Sequence, residues 1–421
     1  MKTLDDIARS LQGYDPQALR MADANAFISE LVAPVQGTET LPLRQCAGRV
    51  LAQDVISGMA VPANDNSAMD GYAFHGAALS GQTTLCLHVV GTALAGKAWS
   101  GSVGAGECLR VMTGAILPAG LDTVVPHEMV RLDGDTVHIP ADRLRSGDNR
   151  RLRGEDLQSG AIALSKGELL APAAIGMAAS LGLKMLPVMR RLKVAYLSTG
   201  DEVQSPGELL REGAVFDSNR YTVTSLLDRL GCEVLEMGVV RDEPVALEAA
   251  FRAAAAQADV IISSGGVSVG EADFTKGMMA KLGDVAFWRI AMRPGRPFAL
   301  GRIGTTVLFG LPGNPVAVMV TFLSLVRPAL LQMMGATPKA LPLLQAHSEE
   351  PMRKKAGRTE YQRGVVSIGP QGRLQVRTTG NQGSGVLSSM VQANGLIVLS
   401  HDQGDVEVGD MVSVMMFDGA L

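Results

Sequence analysis

Between residues 258 and 277 the chain reads ADVIISSGGVSVGEADFTKG, where glycines, hydroxyls and acids follow one another closely. Its apolar run, Val260-Ile261-Ile262, has the length and β-branched content of a buried strand. The run breaks into Ser263-Ser264-Gly265-Gly266, passes Gly270, and turns helical in character from about residue 273 to 282. Strand, glycine turn and helix in that order set backbone N–H groups and a helix N-terminus at the carboxyl edge of a sheet, which suits phosphate or another oxyanion. Glu271 and Asp273 stand in the same turn. Carboxylates repel a phosphate unless a cation lies between them, so the combination reads as a metal–phosphate site. The plain alternative is an ordinary strand-to-helix connection capped by Asp273.

Other acids fall at matching places. LKVAYLS ends in Thr199-Gly200-Asp201-Glu202, and CEVLEMGVV leads to Arg241-Asp242-Glu243. Glu202, Asp242 and Asp273 thus follow three successive strands, and one crevice can hold all three; Asp242 alone reads as a capping residue. Arg289, Arg293 and Arg296 cluster in FWRIAMRPGRP, whose prolines and glycine fix the backbone and splay the last two side chains. Guanidinium forks suit tetrahedral oxyanions, with surface salt bridges as the alternative. VPANDNSAMDGYAF, residues 61–74, is so rich in turn formers that a loop is expected throughout, exposing Asp65, Asn66, Ser67 and Asp70 together. Thr113 follows a strand-like run at 109–112, so its hydroxyl either faces a cleft or closes a turn. Arg143, Arg145, Arg150, Arg151 and Arg153 precede Glu155-Asp156. That run reads as a solvated loop or as an anion-facing one with Asp156 as a further acid.

The elements that must position these groups follow from periodicity. A helix is expected over 22–31, and short apolar segments alternate with glycine turns from 84 to 140, an all-β barrel or sandwich. Residues 158–186 return to the first domain as a strand and an Ala-rich helix after Pro172. From Leu192 strands alternate with helices, predicting a parallel, doubly wound sheet with its site at the strands' carboxyl ends. Within it a helix over 219–230 has Asp217 and Ser218 as caps and Gly231 past its end, and Pro244 opens the next. Asn314 caps a helix beginning at Pro315. Beyond Gly335, LPLLQA, TEYQRGVVSI, LQVRTT, GLIVLS and MVSVMMF predict a closing β-barrel.

Composition bounds the rest. A length of 421 residues suggests about three domains, and 47% hydrophobic residues can bury several cores. A net charge of −4 and a pI of about 5.9 point to neither nucleic acid nor an acidic membrane. No apolar run approaching ~18 residues is read, and MKTLDDIARS lacks signal-peptide features, so a soluble cytoplasmic protein is expected. Four scattered cysteines and six scattered histidines make a structural zinc or a disulfide framework improbable.

Taken in order, DNSAMDGYA, RVMTGA, RGED, STGDE, DSN, SSGGVSVGEADF, RPGRP, LPGNP and QGS resemble the molybdopterin molybdotransferase family, which includes bacterial MoeA and the C-terminal domain of gephyrin. The likeness covers nearly the whole chain. It implies an elongated first domain from residues 1–56 and 158–190, an inserted β domain at 57–157, an α/β molybdopterin-binding domain at 191–335 and a C-terminal β-barrel at 336–421. It implies a homodimer whose cleft joins one subunit's α/β domain to the other's inserted domain. The implied reaction inserts molybdate into the dithiolene of adenylylated molybdopterin, releasing AMP with Mg²⁺. A molybdopterin adenylyltransferase is the implied transient donor.

Carried over by residue, Asp65, Thr113 and Asp156 match positions important for activity. Glu202, Asp242 and Asp273 match acids around the pterin phosphate, Asp242 and Asp273 as metal ligands. Gly200, Asp201, Ser218, Asn219, Ser264, Gly265, Gly266, Ser268, Gly270, Lys276, Pro297, Gly313 and Asn314 match cofactor-binding positions, together with Arg289, Arg293 and Arg296. Arg363 and Ser384 match positions associated with molybdate. The family often has lysine where those three arginines stand, and some members have serine at Ala317; charge survives the first change, and both changes bear on pocket size and oxyanion preference, with tungstate as the alternative to molybdate. Two other readings compete. A nucleotide pyrophosphatase or amidohydrolase on the same α/β core would hydrolyse ordinary dinucleotides without molybdate, and a pure scaffold would have no use for the acids.

Overall fold

The computed structural model describes residues 3–10, 14–265 and 281–418. Gly266, Ser268, Gly270, Glu271, Asp273 and Lys276 therefore lie outside the described residues.

The α/β region is a six-stranded sheet in the order Glu233–Val240, Lys193–Thr199, Val260–Ser264, Thr306–Leu311, Pro297–Ile303, Asp284–Arg289. Its side chains alternate between two cores, as a sheet covered on both faces requires. Val194 and Tyr196 pack with Val223, Leu226 and Leu227 of helix Ser218–Arg229. Ala195 and Leu197 face the other way, onto Leu247, Phe251 and Ala254 of helix Pro244–Ala255. The sheet is not wholly parallel. Four strands are, but Pro297–Ile303 runs antiparallel to Thr306–Leu311 and Asp284–Arg289. Only Gly304 and Thr305 separate the first two, and so short a link joins antiparallel neighbours only.

Asp217 caps Ser218–Arg229 by accepting from Arg220 N at 3.0 Å. Asn314 holds the N-cap position of Pro315–Thr321 but makes no side-chain capping bond, contrary to expectation. From Pro315 to Met333 the helix is apolar enough, by length and composition, to cross a membrane, so an apolar stretch of that length does exist. Here it is a core helix, with 72% of its apolar window buried inside the protein. It widens to π over Phe322–Val326, immediately before Arg327-Pro328. Pro328 has no N–H to donate and crowds the carbonyl four residues back, which the wider turn accommodates.

Residues 61–74 are not a loop throughout. Asn66–Ser67 pairs with Arg150–Arg151, and Gly71–Phe74 is an inner strand between Glu107–Val111 and Thr123–Pro126 in a second six-stranded sheet. The turn formers end at Asp70. Beyond it Tyr72 and Phe74 enter one core and Ala73 the other. Gly71 permits the pairing, since a Cβ there would lie 1.9 Å from Val125 O.

Thr38–Pro42 pairs with Met185–Met189, and Val55–Ile56 with Ile162–Leu164, which brings two distant segments together. The C-terminal strands close into a barrel because Thr359–Ile368 pairs with both Leu374–Thr378 and Gly395–Leu399. That strand changes partner at Gly364, where a Cβ would stand 2.8 Å from Ile397 Cγ1. Met292–Arg293 joins the barrel edge by pairing with Thr359-Glu360. This carries the arginine turn from the α/β sheet onto the barrel.

Candidate active site

Parallel ladders leave the ends of neighbouring strands side by side. Thr199 pairs with Val240, Ser198 with Ser264, and Ser264 with Leu311. The residues after those strands line one cleft of about 390 Å³: Gly200, Glu202, Asp242, Gly265, Gly313 and Asn314. Arg293, Arg296 and Pro297 enter from the arginine turn, and Gln382 and Ser384 from the barrel loop. Ten of the residues marked in the sequence thus meet in one place.

Backbone geometry explains the glycines. Gly265 has φ +95°, and a Cβ there would sit 2.4 Å from Thr199 O. Gly200 has φ +137°, and a Cβ there would sit 2.6 Å from Glu202 Oε2. Asn219 ties the rim together by donating from Nδ2 to Ser264 Oγ at 2.8 Å and to Gly313 O at 2.7 Å. With both N–H bonds spent on protein, Asn219, Ser264 and the neighbouring Ser218 shape the cleft without lining it. Asp201 also stands outside the lining and accepts from Asp242 N at 3.3 Å. Arg289 lies on the edge strand with its N–H on Pro16 O, outside the cleft.

Beside the cleft, and sharing Arg293, Pro294 and Gln382 with it, is a second cavity of about 270 Å³ lined by Arg363, Glu350 and Glu360. Arg363 is fully buried. Its Nε donates to Ser389 Oγ at 3.0 Å and its Nη2 to Gly383 O at 2.9 Å, while Nη1 is buried with no partner. The acids nearby are already engaged. Glu360 pairs with Arg358 at 2.7 Å, and Glu350 accepts from Thr378 N at 2.7 Å. Burial, then the charge of Arg293, lowers the Arg363 guanidinium to about 10. A buried cation with a spare donor and no counter-ion is an arrangement that an anion completes. Gln382 fixes the loop against it, accepting from Arg363 N at 2.8 Å, and Val316 N donates to Ser384 O at 3.1 Å. Gln382 was not singled out from the sequence, although QGS contains it.

Asp65, Thr113 and Asp156 do not line this cleft. They gather at one corner of the inserted sheet: Leu117 N donates to Asp65 O, Gly114 N to Ser67 O and Asp156 N to Val61 O. Asp65 Oδ1 accepts from Arg153 N at 2.8 Å, and its Oδ2 lies 3.7 Å from Arg150 Nη1. Thr113 and Asp156 are exposed.

Three family models match successive stretches of the chain. The MoeA N-terminal region (domain I and II) matches residues 19–182, a probable molybdopterin binding domain matches 195–332, and the MoeA C-terminal region (domain IV) matches 345–417. The molybdopterin molybdenumtransferase of Haemophilus influenzae is 41% identical over 396 residues, spanning 94% of this chain and 97% of that protein. Gephyrin of Dictyostelium discoideum is 30% identical across 90% of this chain and 59% of its own length. The crystal structure of the molybdopterin biosynthesis moeA protein from Pyrococcus horikoshii superimposes with a TM-score of 0.82 at 26% identity, over 95% of this chain and all of that one.

Proposed function

The chain belongs to the MoeA family of molybdopterin molybdenumtransferases, enzymes of molybdenum cofactor biosynthesis, and from that premise we propose that it inserts molybdate into the dithiolene of adenylylated molybdopterin with Mg²⁺-dependent release of AMP. The observation that carries this reading is the buried, uncompensated Arg363 beside a cleft that gathers Glu202, Asp242, Arg293, Arg296 and Ser384.

In this reading the positive-φ turns at Gly200 and Gly265 let the pyrophosphate approach the backbone. Arg363 Nη1, Arg293, Arg296 and the Ser384 hydroxyl hold the tetrahedral oxyanion. No cysteine or histidine lines the cleft among the described residues, so cleavage of the phosphoanhydride rests on positioning and charge neutralisation. Among the described residues no three acids, histidines or cysteines form a metal cluster. Asp242, with Glu202 nearby, would hold the ion, joined in this reading by Asp273, which lies outside the described residues; so small a donor set suits an ion that takes its remaining ligands from substrate phosphate and water. Bound there, Mg²⁺ supplies neutralisation of the phosphate charge. The reading extends to a homodimer in which a second copy's corner, with Asp65, Thr113 and Asp156, completes the cleft. A molybdopterin adenylyltransferase acts as transient donor, and the work is cytoplasmic.

The test is incubation with adenylylated molybdopterin, Mg²⁺ and molybdate. AMP release that depends on molybdate is expected; hydrolysis of ordinary dinucleotides without molybdate would favour a pyrophosphatase.

A further inference from the structure

We infer that Asp70 is a positioning residue for the transfer: it turns Thr113 so that the hydroxyl oxygen, and not its proton, is offered to an N–H or O–H group at the pterin or nucleoside end of the substrate. This rests on the reading that Thr113 faces the substrate.

Asp70 and Thr113 stand 43 residues apart and meet because Gly71–Phe74 pairs with Glu107–Val111, with Gly71 opposite Val111. At those strand ends Thr113 N and Thr113 Oγ1 both donate to one atom, Asp70 Oδ1, at 2.7 and 2.8 Å. The approach is fixed from behind. Gly71 is closed in against Val125 O, and Asp70 O accepts from His127 N at 3.1 Å. The same Thr113 donors, chiefly the backbone N–H, hold the Asp70 carboxyl below its usual range, so it is a pure acceptor at neutral pH.

A hydroxyl has a single proton, and here that proton points at Asp70. Thr113 Oγ1 is left with lone pairs only, while the residue as a whole is exposed. Lone pairs repel a bare oxyanion and accept from an amine or hydroxyl. Thr113 is therefore matched to the amine-bearing pterin or the nucleoside, whereas Arg363, with a spare N–H, is matched to the oxyanion.

The test is a double-mutant cycle in the full-length protein, with AMP release followed against both substrates. Asp70→Ala and Thr113→Val should each raise the KM for adenylylated molybdopterin about tenfold or more, the double variant no further, and the molybdate dependence should not move. Asp70→Asn, whose amide oxygen still accepts, should recover most of the loss, with thermal melting unchanged. If Asp70→Ala does not fold, Asp70→Ser, too short to reach both donors, takes its place. Wild-type behaviour of the Asp70 variant beside an impaired Thr113→Val overturns this inference alone, as do losses that multiply in the double variant or a shifted molybdate dependence. Wild-type behaviour of Thr113→Val overturns the placement of Thr113 at the substrate, and this inference with it.

Discussion

The strand-end cleft and the corner of the inserted sheet use the same residue types, arginines, carboxylates and hydroxyls, in opposite ways. In the corner the carboxylates are met from within, Asp65 by Arg153 N and Arg150 and Asp70 by Thr113, although Arg150 Nε and Asn66 Oδ1 are buried without partners. Beside the cleft Arg363 is buried with a donor unused while the neighbouring acids serve other partners. A region with spare donors is built to receive an anion. A region whose carboxylates are already engaged, and whose exposed Thr113 has lone pairs to offer, is suited to accept from a donor rather than to hold an anion.

Breaking the cleft should cost most. Asp242→Asn removes one positioned charge and should lower the rate of AMP release by about 10²–10³ with the fold intact. An unchanged single-turnover rate would remove Asp242 from the mechanism. Next comes Arg363→Met, which keeps the bulk and discards the charge. It should raise the molybdate requirement about tenfold or more, since a charge-assisted hydrogen bond contributes roughly 1.5–3 kcal/mol. Molybdate should raise the melting temperature of the wild type and not of this variant. The sign follows from the lowered pKa. Below about pH 10 the ligand-free fold holds a cation that burial disfavours, and this group's penalty is relieved as pH rises from about 10 toward the ordinary, higher guanidinium value. A bound oxyanion relieves it at neutral pH instead.

Arg296 is exposed, so Arg296→Ala should raise the molybdate requirement less than Arg363→Met does, and Arg296→Lys should keep activity. Titration of AMP release against molybdate ranks the three. Smallest of all is Arg150→Ala, whose pairing with Asp65 is 3.7 Å long, with the two side chains 28% and 37% exposed. Its stability change should stay within about 1 kcal/mol by thermal or urea melting. A larger loss would mean that the corner depends on that pair far more than its geometry suggests.

The cleft was legible because glycines and acids that follow parallel strands must converge once the strands align; Gly200, Glu202, Asp242 and Gly265 needed only the alternation of strand and helix. Register was not legible. Asp70 meets Thr113 only because Gly71 lies opposite Val111, and local composition carries no sign of that pairing. Residues 61–74 were misread because turn formers up to Asp70 outweighed the four-residue strand beyond. The antiparallel edge was hidden in FWRIAMRPGRPFAL because the hairpin that decides direction lies beyond it, at Gly304-Thr305. Asn314 has a capping residue's identity and position, yet its side chain makes no capping bond.

The central claim, that the cleft needs a corner from another copy, is tested most directly by mixing subunits. Asp65→Ala and Asp242→Asn chains, each nearly inactive alone, are unfolded together, refolded and assayed for AMP release. In a two-fold dimer with shared sites, random pairing leaves about a quarter of the sites intact, so roughly a quarter of wild-type turnover should return. Heterodimers that form yet stay as inactive as either parent would contradict the account, placing both residues in the same subunit's site.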